Sequence, residues 1–506
     1  IGTDGIVIKN NEENNTITIS RTDEYDNGIP PADIPSKVIR SGDGQLIIKW
    51  TDPSDLTADG VTYSIWDHTT LVRKVGSYPA DVNDGTVLVT NFNKNQYAEN
   101  GYLDSGLTNG TTYYYKLFIY AQDGTVNRNA QNNMIGIPKK YHIYGVRIDE
   151  TNSNPETAVE YTDDAIGMEG GSDDWDNVSI YANMQPCLLK NGAVNYYLNK
   201  DDYNYKANGV DLADITTGED GDVMIEIPKT AYMIYREGDY LYVKITDNPN
   251  AKLVDERFCF YAHTREIEGD RENLYIGAYE CNISGGKMRS LSGVEKTRSK
   301  TLSDFRISAQ TNGISYDVWS FYSIVLLQCL YLIKYKNLDS QFSVGDGGLS
   351  TITGTLNDRG FTYGNNLKSS SGSSTRVKLF GIEDLWGCYS SYVDGVRLND
   401  KKQVMLSFTN FNDNGDGYIT YSSILPTVNA FLVTPQGTKE LGFLPLTANG
   451  SSTTFYCDVI YTNGNKHNEF SFGGTNSNKT SGIFAWHFSP TSIMNSNIMG
   501  SRLMYL

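Results

Sequence analysis

The sequence predicts a mainly β protein with a C-terminal α+β domain. Three observations carry this. The chain is rich in Tyr (36) and Gly (48), a composition that suits short strands separated by many turns. Strand-like runs recur at short spacing through its first half, each closed by turn residues. Helical signals appear only in the second half. At 506 residues the chain has room for several domains of ~100–200 residues each.

Residues 1–37 read as an N-terminal attachment hairpin and linker. Ile6-Val7-Ile8 and Thr16-Ile17-Thr18-Ile19 are short strand signals around a polar turn. A hairpin this small is marginal alone, so it is expected to pair with other chains or with a preceding segment. The start at Ile1 rather than Met reads as trimming, or as a fragment of something longer. The stretch 29–35 carries Pro30, Pro31 and Pro35; it reads as a linker, because proline removes ladder donors and stiffens the chain.

Residues 38–138 read as a β-sandwich. Gln45–Trp50, Thr62–Trp66 and Thr112–Tyr120 are strand signals, with turns at Asp52-Pro53 and Asn109-Gly110. Residues 139–250 are a second β-rich region, expected to pack on the head rather than to stand alone. Asp222–Pro228 alternates with period two, and Ala231–Tyr235 and Tyr240–Ile245 flank a turn at Glu237-Gly238-Asp239. Residues 251–506 hold the helices. Ser303-Asp304 can cap one running toward Gln310 and ended by Asn312-Gly313. A longer one is expected from about Ser320 to Asn337. It is apolar on most faces until Lys334 and Lys336, so it belongs in a core. Its apolar run falls short of the ~20 residues of a membrane span.

Hydrophobic residues make up 39%, enough for real cores, and net charge is 42 − 60 = −18. The acidic balance disfavours nucleic acid as a partner, and it disfavours anionic membranes. No nucleic-acid binding and no membrane insertion are expected. Acidic residues cluster at Asp163, Asp164, Asp173, Asp174 and Asp176, and again at Asp201, Asp202, Glu219, Asp220 and Asp222. They read first as solvated surface, with cation binding as the alternative. Six widely spaced cysteines, without a C-x-x-C pair, read as buried free thiols of a protein assembled in a reducing cytosol.

Three stretches carry resemblances. Trp50 together with Gly106–Tyr115 resembles a fibronectin type III module, which implies a Trp in the core and a Tyr at a strand corner. Tyr144–Asp149 with Tyr161–Ala165 resembles a sequence that recurs in tail-fibre-type proteins of phages of Gram-positive hosts. Leu379-Phe380-Gly381-Ile382-Glu383-Asp384-Leu385-Trp386-Gly387-Cys388 resembles the signature of formylglycine-generating-enzyme-type domains, which share a C-type-lectin-like fold. Asp384 and Cys388 stand where Asn is commoner. The family's copper-site cysteines have no recognisable counterpart in Cys388 and Cys457, so that activity is not carried over. Leu385 and Trp386 are expected in the core, and Glu383 and Asp384 are expected to anchor loops.

The final stretch, from Phe472-Gly473-Gly474 through Gly482-Ile483-Phe484 to Gly500-Ser501-Arg502-Leu503, resembles the variable region of retroelement-diversified proteins. The resemblance implies scaffold at Gly473, Gly474, Gly482, Phe484, Gly500, Arg502 and Leu503. It implies receptor-contacting display positions at Thr475, Asn476, Ser477, Asn478, Lys479, Trp486, His487, Ser489 and Pro490. The alternative for Trp486 is simple burial in the core.

Other signals are weaker. Asn412-Asp413-Asn414-Gly415-Asp416-Gly417 reads as a plain turn, with Ca2+ at Asn412, Asn414 and Asp416 as the alternative, because Ser423 stands where an EF-hand has its bidentate Glu. No other cofactor is expected. His467 and His487 share no metal-ligand spacing. The basic run Lys287, Arg289, Lys296, Arg298 and Lys300 reads as solvated surface, or as a contact for an acidic wall polymer.

These readings converge on a non-enzymatic phage virion adhesin, a tail fibre or receptor-binding protein. A fibronectin III-like spacer leads to a C-type-lectin-like head that attaches to a bacterial surface receptor, glycan or protein. Assembly as a homotrimer with other virion tail proteins would add avidity. The rivals are a structural virion fibre or neck or head decoration without a receptor, and a surface-glycan-degrading enzyme, which needs a carboxylate pair that no motif supplies.

Overall fold

The computed structural model describes residues 6–11, 16–21, 28–265, 269–364, 376–462, 469–474, 480–488 and 498–506. Strands make up 40% and helices 11%, so the chain is mainly β. It divides into two compact units, Ile1–Tyr141 and His142–Leu506.

In the first unit the strands Ile6–Asn11 and Thr16–Arg21 pair antiparallel, as the alternation in the second strand predicts. Two further sheets bury a common core. The strands Ser36–Gly42, Gln45–Thr51 and Tyr102–Ser105 form one; Trp66–Val75, Thr86–Asn91, Tyr113–Ala121, Val126–Asn127 and Asn133–Gly136 form the other. Gln45–Thr51 points Leu46, Ile48 and Trp50 inward by strict alternation, against Leu71, Tyr115, Leu117 and Ile119 from the facing sheet. The Tyr113 hydroxyl accepts from the Thr108 amide at 3.1 Å, which fixes the corner before that strand.

Two expectations for this unit are corrected. The run 62–66 is not one strand: Val61–Ser64 and Trp66–Val75 are separate, and the exposed Ile65 lies between them. The Pro-rich stretch 29–35 is not a free linker. Ile34 is buried in the core, and its amide donates to Asn132 Oδ1 at 2.9 Å. Asn127 donates to Pro31 O and to Asp33. Prolines leave few amides to satisfy, so the segment docks through side-chain amides instead.

The second unit merges the regions read as 139–250 and 251–506. One six-stranded sheet joins them, in the order Ala193–Tyr197, Gln185–Lys190, Asp222–Pro228, Asn273–Gly277, Leu503–Tyr505, Tyr316–Val318. The C-terminal strand Leu503–Tyr505 is thus wedged antiparallel between two others. A four-stranded sheet holds the hairpin Ala231–Glu237 and Tyr240–Thr246, turning at Gly238 as expected. A seven-stranded sheet carries the strands Ser390–Val393, Phe470–Phe472, Trp486–His487 and Met499–Gly500.

The long helix is Phe321–Tyr335, capped by the Ser320 hydroxyl, and it is buried from Phe321 to Lys334. Lys336 at its end is left-handed, φ 52°. Among the described residues no helix is long and apolar enough to cross a membrane. The short helix is Leu302–Gln310, but its cap is Thr301, with Asp304 closing a capping box as the third helical residue. The expected cap at Ser303-Asp304 was therefore displaced by two residues. All six cysteines are buried.

Tyr115 is buried, and its hydroxyl donates to Asp104 at 2.6 Å while Arg73 holds the other carboxylate oxygen at 2.6 Å. Substituting Tyr115→Phe leaves that carboxylate one partner short. Urea unfolding of the full chain should report a loss of ~1–2 kcal/mol in the transition of the first unit; an unchanged midpoint would contradict this role.

Candidate functional site

The two stretches singled out by resemblance meet in the second unit through their glycines. The Gly387 amide donates to Gly473 O at 2.9 Å, and the Gly473 amide donates to Ala485 O at 3.1 Å. Both glycines have positive φ, 72° and 81°. A Cβ on Gly387 would lie 2.7 Å from Asp346 O, and one on Gly473 would lie 2.9 Å from Leu385 O. Only glycine permits this approach of two backbones.

Buried side chains pin the rest of the C-terminal stretch. Gln328, on the long helix, donates to Ile483 O at 2.8 Å. Ser340 Oγ accepts from the Ile483 amide at 3.0 Å, and Asp458 accepts from the Phe484 amide at 2.8 Å. Burial pushes the Asp458 carboxyl up to about 8, so at neutral pH it serves mainly as a hydrogen-bonding group. Downstream, Ser501 Oγ donates to Tyr392 O, and the Trp319 amide donates to Arg502 O.

Arg502 is 1% exposed and donates to the carbonyls of Glu383 and Asp384. Around that contact lies a buried ionic cluster. Lys296 Nζ sits 2.6 Å from Asp384, 3.6 Å from Glu280 and 3.2 Å from Cys388 Sγ. Arg376 reaches Glu383 at 2.6 Å and also Asp384. Glu383 in turn accepts from the amides of Gly354 and Leu356. Three carboxylates therefore face three cations. Against the cost of burial, Lys296 and Arg376 hold Asp384 below the usual carboxylate range, whereas burial pushes Glu280 up.

Glu280, Asp384 and Cys388 also form the one group of three possible metal ligands converging among the described residues. The cation at its centre is the Lys296 ammonium. The set is already charge-compensated and its thiol is pushed up by burial, so it reads as a structural ion cluster.

Comparison with known proteins places no label on this arrangement: no protein-family model and no curated protein sequence matches the chain.

The display positions divide. Thr475, Asn476, Ser477, Asn478 and Lys479 lie outside the described residues, as do Ser489 and Pro490. Their flanks are described: Gly474, Ser481 and Phe488 are buried, and Ile498 is 45% exposed. Trp486 is corrected from display to core. It is fully buried, packed against Phe321, Phe470 and Phe472 at 5.4–6.4 Å between ring centres. Strand alternation decides this, because Trp486 points opposite to its neighbour His487. His487 is half-buried beside Tyr461, with Ser390 Oγ 3.4 Å from Nδ1. Desolvation pushes its imidazole down to about 4, so at pH 7 it is a neutral polar group.

Other candidates settle as follows. Asn412 Oδ1 accepts from the amides of Asn414, Gly415 and Asp416, so the oxygen a cation would use closes a turn. Asp413 pairs with Arg306 at 2.8 Å. The basic run is corrected: Lys296 is buried in the cluster, and Arg289 pairs with Asp222 at 2.9 Å. Asp222 is likewise buried rather than solvated, and it accepts from the Ser290 amide. Leu385, Trp386, Glu383 and Asp384 take the core and anchoring places expected of them. Sequence reasoning missed Glu280 and Arg376. For Glu280 a signal existed: a lone acid in the run Ala278-Tyr279-Glu280-Cys281, whose other members are all buried.

Removing Lys296 takes the ion-pair partner from buried Glu280 and leaves buried Asp384 with Arg376 alone. Lys296→Met should destabilise the second unit by ~3–5 kcal/mol in urea unfolding. Adding Asp384→Asn should cost less than the sum of the single changes. Additive losses would contradict the cluster.

Proposed function

We propose that this chain is a phage virion adhesin that attaches non-covalently to a receptor on a bacterial surface. The observation that carries the reading is the division of the C-terminal stretch. Its described glycines and the apolar Ile483, Phe484 and Leu503 are buried in a hydrogen-bonded frame, and between them in sequence lie 475–479, small polar residues ending in Lys479, and 489–497, mostly small polar residues with Pro490, Ile493 and Met494 among them. A fixed frame interrupted by replaceable polar positions is what a recognition surface needs. Asn and Ser there supply adaptable hydrogen bonds. The receptor-contacting set is Thr475, Asn476, Ser477, Asn478, Lys479, Ser489 and Pro490, with half-buried His487 at its edge.

Two finer assignments support the same reading. The first unit looks like a fibronectin type III spacer: Trp50 fills its core and Tyr113 bonds back to the Thr108 amide, the arrangement of a tyrosine corner. The second unit is read as a C-type-lectin-like head, on the Gly381–Gly387 motif and its contact with Gly473. Attachment as a homotrimer within a tail fibre would convert weak single-site recognition into avidity. The mechanism is binding alone, with no covalent step.

The full chain, fluorescently labelled, should bind saturably to at least one strain in a panel of Gram-positive bacteria. Replacing Asn476, Asn478, Lys479 and Ser489 together by Ala should weaken binding by about tenfold or more, the effect of losing ~1.4 kcal/mol, with the thermal midpoint unchanged. Absence of binding to every strain would favour a structural fibre instead. Unchanged binding by the quadruple variant would remove the C-terminal segments from the site.

A further inference from the structure

The second unit holds a cleft of about 930 Å³, within the ~300–1,000 Å³ of small-molecule sites. None of its lining residues comes from 469–506. Its floor is the end of the long helix. The Gly171 amide donates to Lys334 O at 2.8 Å, and a Cβ on Gly170 would lie 2.7 Å from Tyr335 O. The two glycines let the chain cross the helix end closely. The rings of Tyr335 and Phe361 remain half-buried in the wall.

Two of the three lysines on the cleft are already engaged; the third, Lys336, makes no ion pair among the described residues and lies 5.6 Å from the centre of the Tyr161 ring. Lys334 pairs with Asp176 at 2.5 Å. Lys200 donates to Ala182 O at 2.6 Å and lies 5.1 Å from the centre of the Phe361 ring. By contrast, the carboxylates of Glu169 and Asp173, also on the cleft, make no hydrogen bond or ion pair among the described residues. Acceptors are in surplus, so the complementary ligand brings donors. A single metal ion does not fit, because the carboxylates here do not converge; the three-ligand grouping among the described residues lies at Glu280, Asp384 and Cys388.

We propose that this cleft binds an oligosaccharide, neutral or amino-bearing rather than anionic. Ring faces at Tyr335 and Phe361 receive the apolar C–H face of a sugar, while its hydroxyl or ammonium groups donate to Glu169 and Asp173. A few orienting polar groups on an aromatic wall is the usual division of labour in such sites. The inference does not rest on the C-terminal segments and stands or falls apart from them.

The test applies the full chain to a printed array of neutral, amino-bearing and anionic oligosaccharides and titrates the hits by calorimetry. Neutral or amino-bearing members should bind. Phe361→Ala and Asp173→Asn should each weaken them by about tenfold, as loss of one orienting contact does. Asp173 is exposed, so its variant separates a lost contact from a lost fold. The Asn476, Asn478, Lys479 and Ser489 variant should bind as wild type does. Binding of no member, preference for anionic members, indifference to Asp173→Asn, or loss in the C-terminal variant would each overturn the proposal.

Discussion

The second unit depends on one buried ion cluster. Lys296, Arg376 and Arg502 neutralise Glu280, Glu383 and Asp384, and all but Arg376 are essentially without solvent. Charges taken out of water cost several kcal/mol each and are tolerated only when opposed and hydrogen-bonded. Here the opposition is three against three, the Glu383 carboxylate also accepts from two backbone amides, and the Arg502 guanidinium donates to two carbonyls. The cluster therefore works as a positional lock more than as a source of net stability. It fixes the Gly381–Gly387 segment against the strand that ends the chain, at the depth where Gly387 and Gly473 touch.

In the adhesin proposed above, that lock would separate two demands that conflict in any recognition surface. Residues that hold the fold must not vary, and residues that meet a partner must be free to. Gln328, Ser340 and Asp458 pin the turn at Ile483-Phe484 from below. Arg502 and Ser501 pin the last strand. At the end of the long helix, glycines and a buried lysine build the cleft beneath the carboxylates of Glu169 and Asp173, which make no hydrogen bond or ion pair among the described residues.

Local pattern made much of the fold legible. Period-two alternation marked Asp222–Pro228 and the hairpin turning at Gly238, and the uninterrupted apolar run marked the helix Phe321–Tyr335. The glycine and arginine positions of the C-terminal frame were legible through resemblance, and each proved buried or closely packed. What escaped was decided by distant partners. Lys296 looked like one member of a basic run, yet its partner Asp384 is 88 residues away. Asp222 looked solvated until Arg289 met it. Ile34 looked like part of a linker because the asparagines that dock its segment lie almost a hundred residues on. Trp486 shows the limit of motif reading at single-residue resolution, since a two-residue strand puts one side chain in and the next one out.

The most direct test of a frame independent of its display positions is hydrogen exchange on a chain in which 475–479 and 489–497 are replaced by alternating Gly and Ser of equal length. The account predicts that the amides of Trp319, Gly387, Gly473 and Phe484 keep their wild-type protection. Loss of protection at these amides, with the rest of the second unit still folded, would show that the replaced segments help hold the frame and would contradict it.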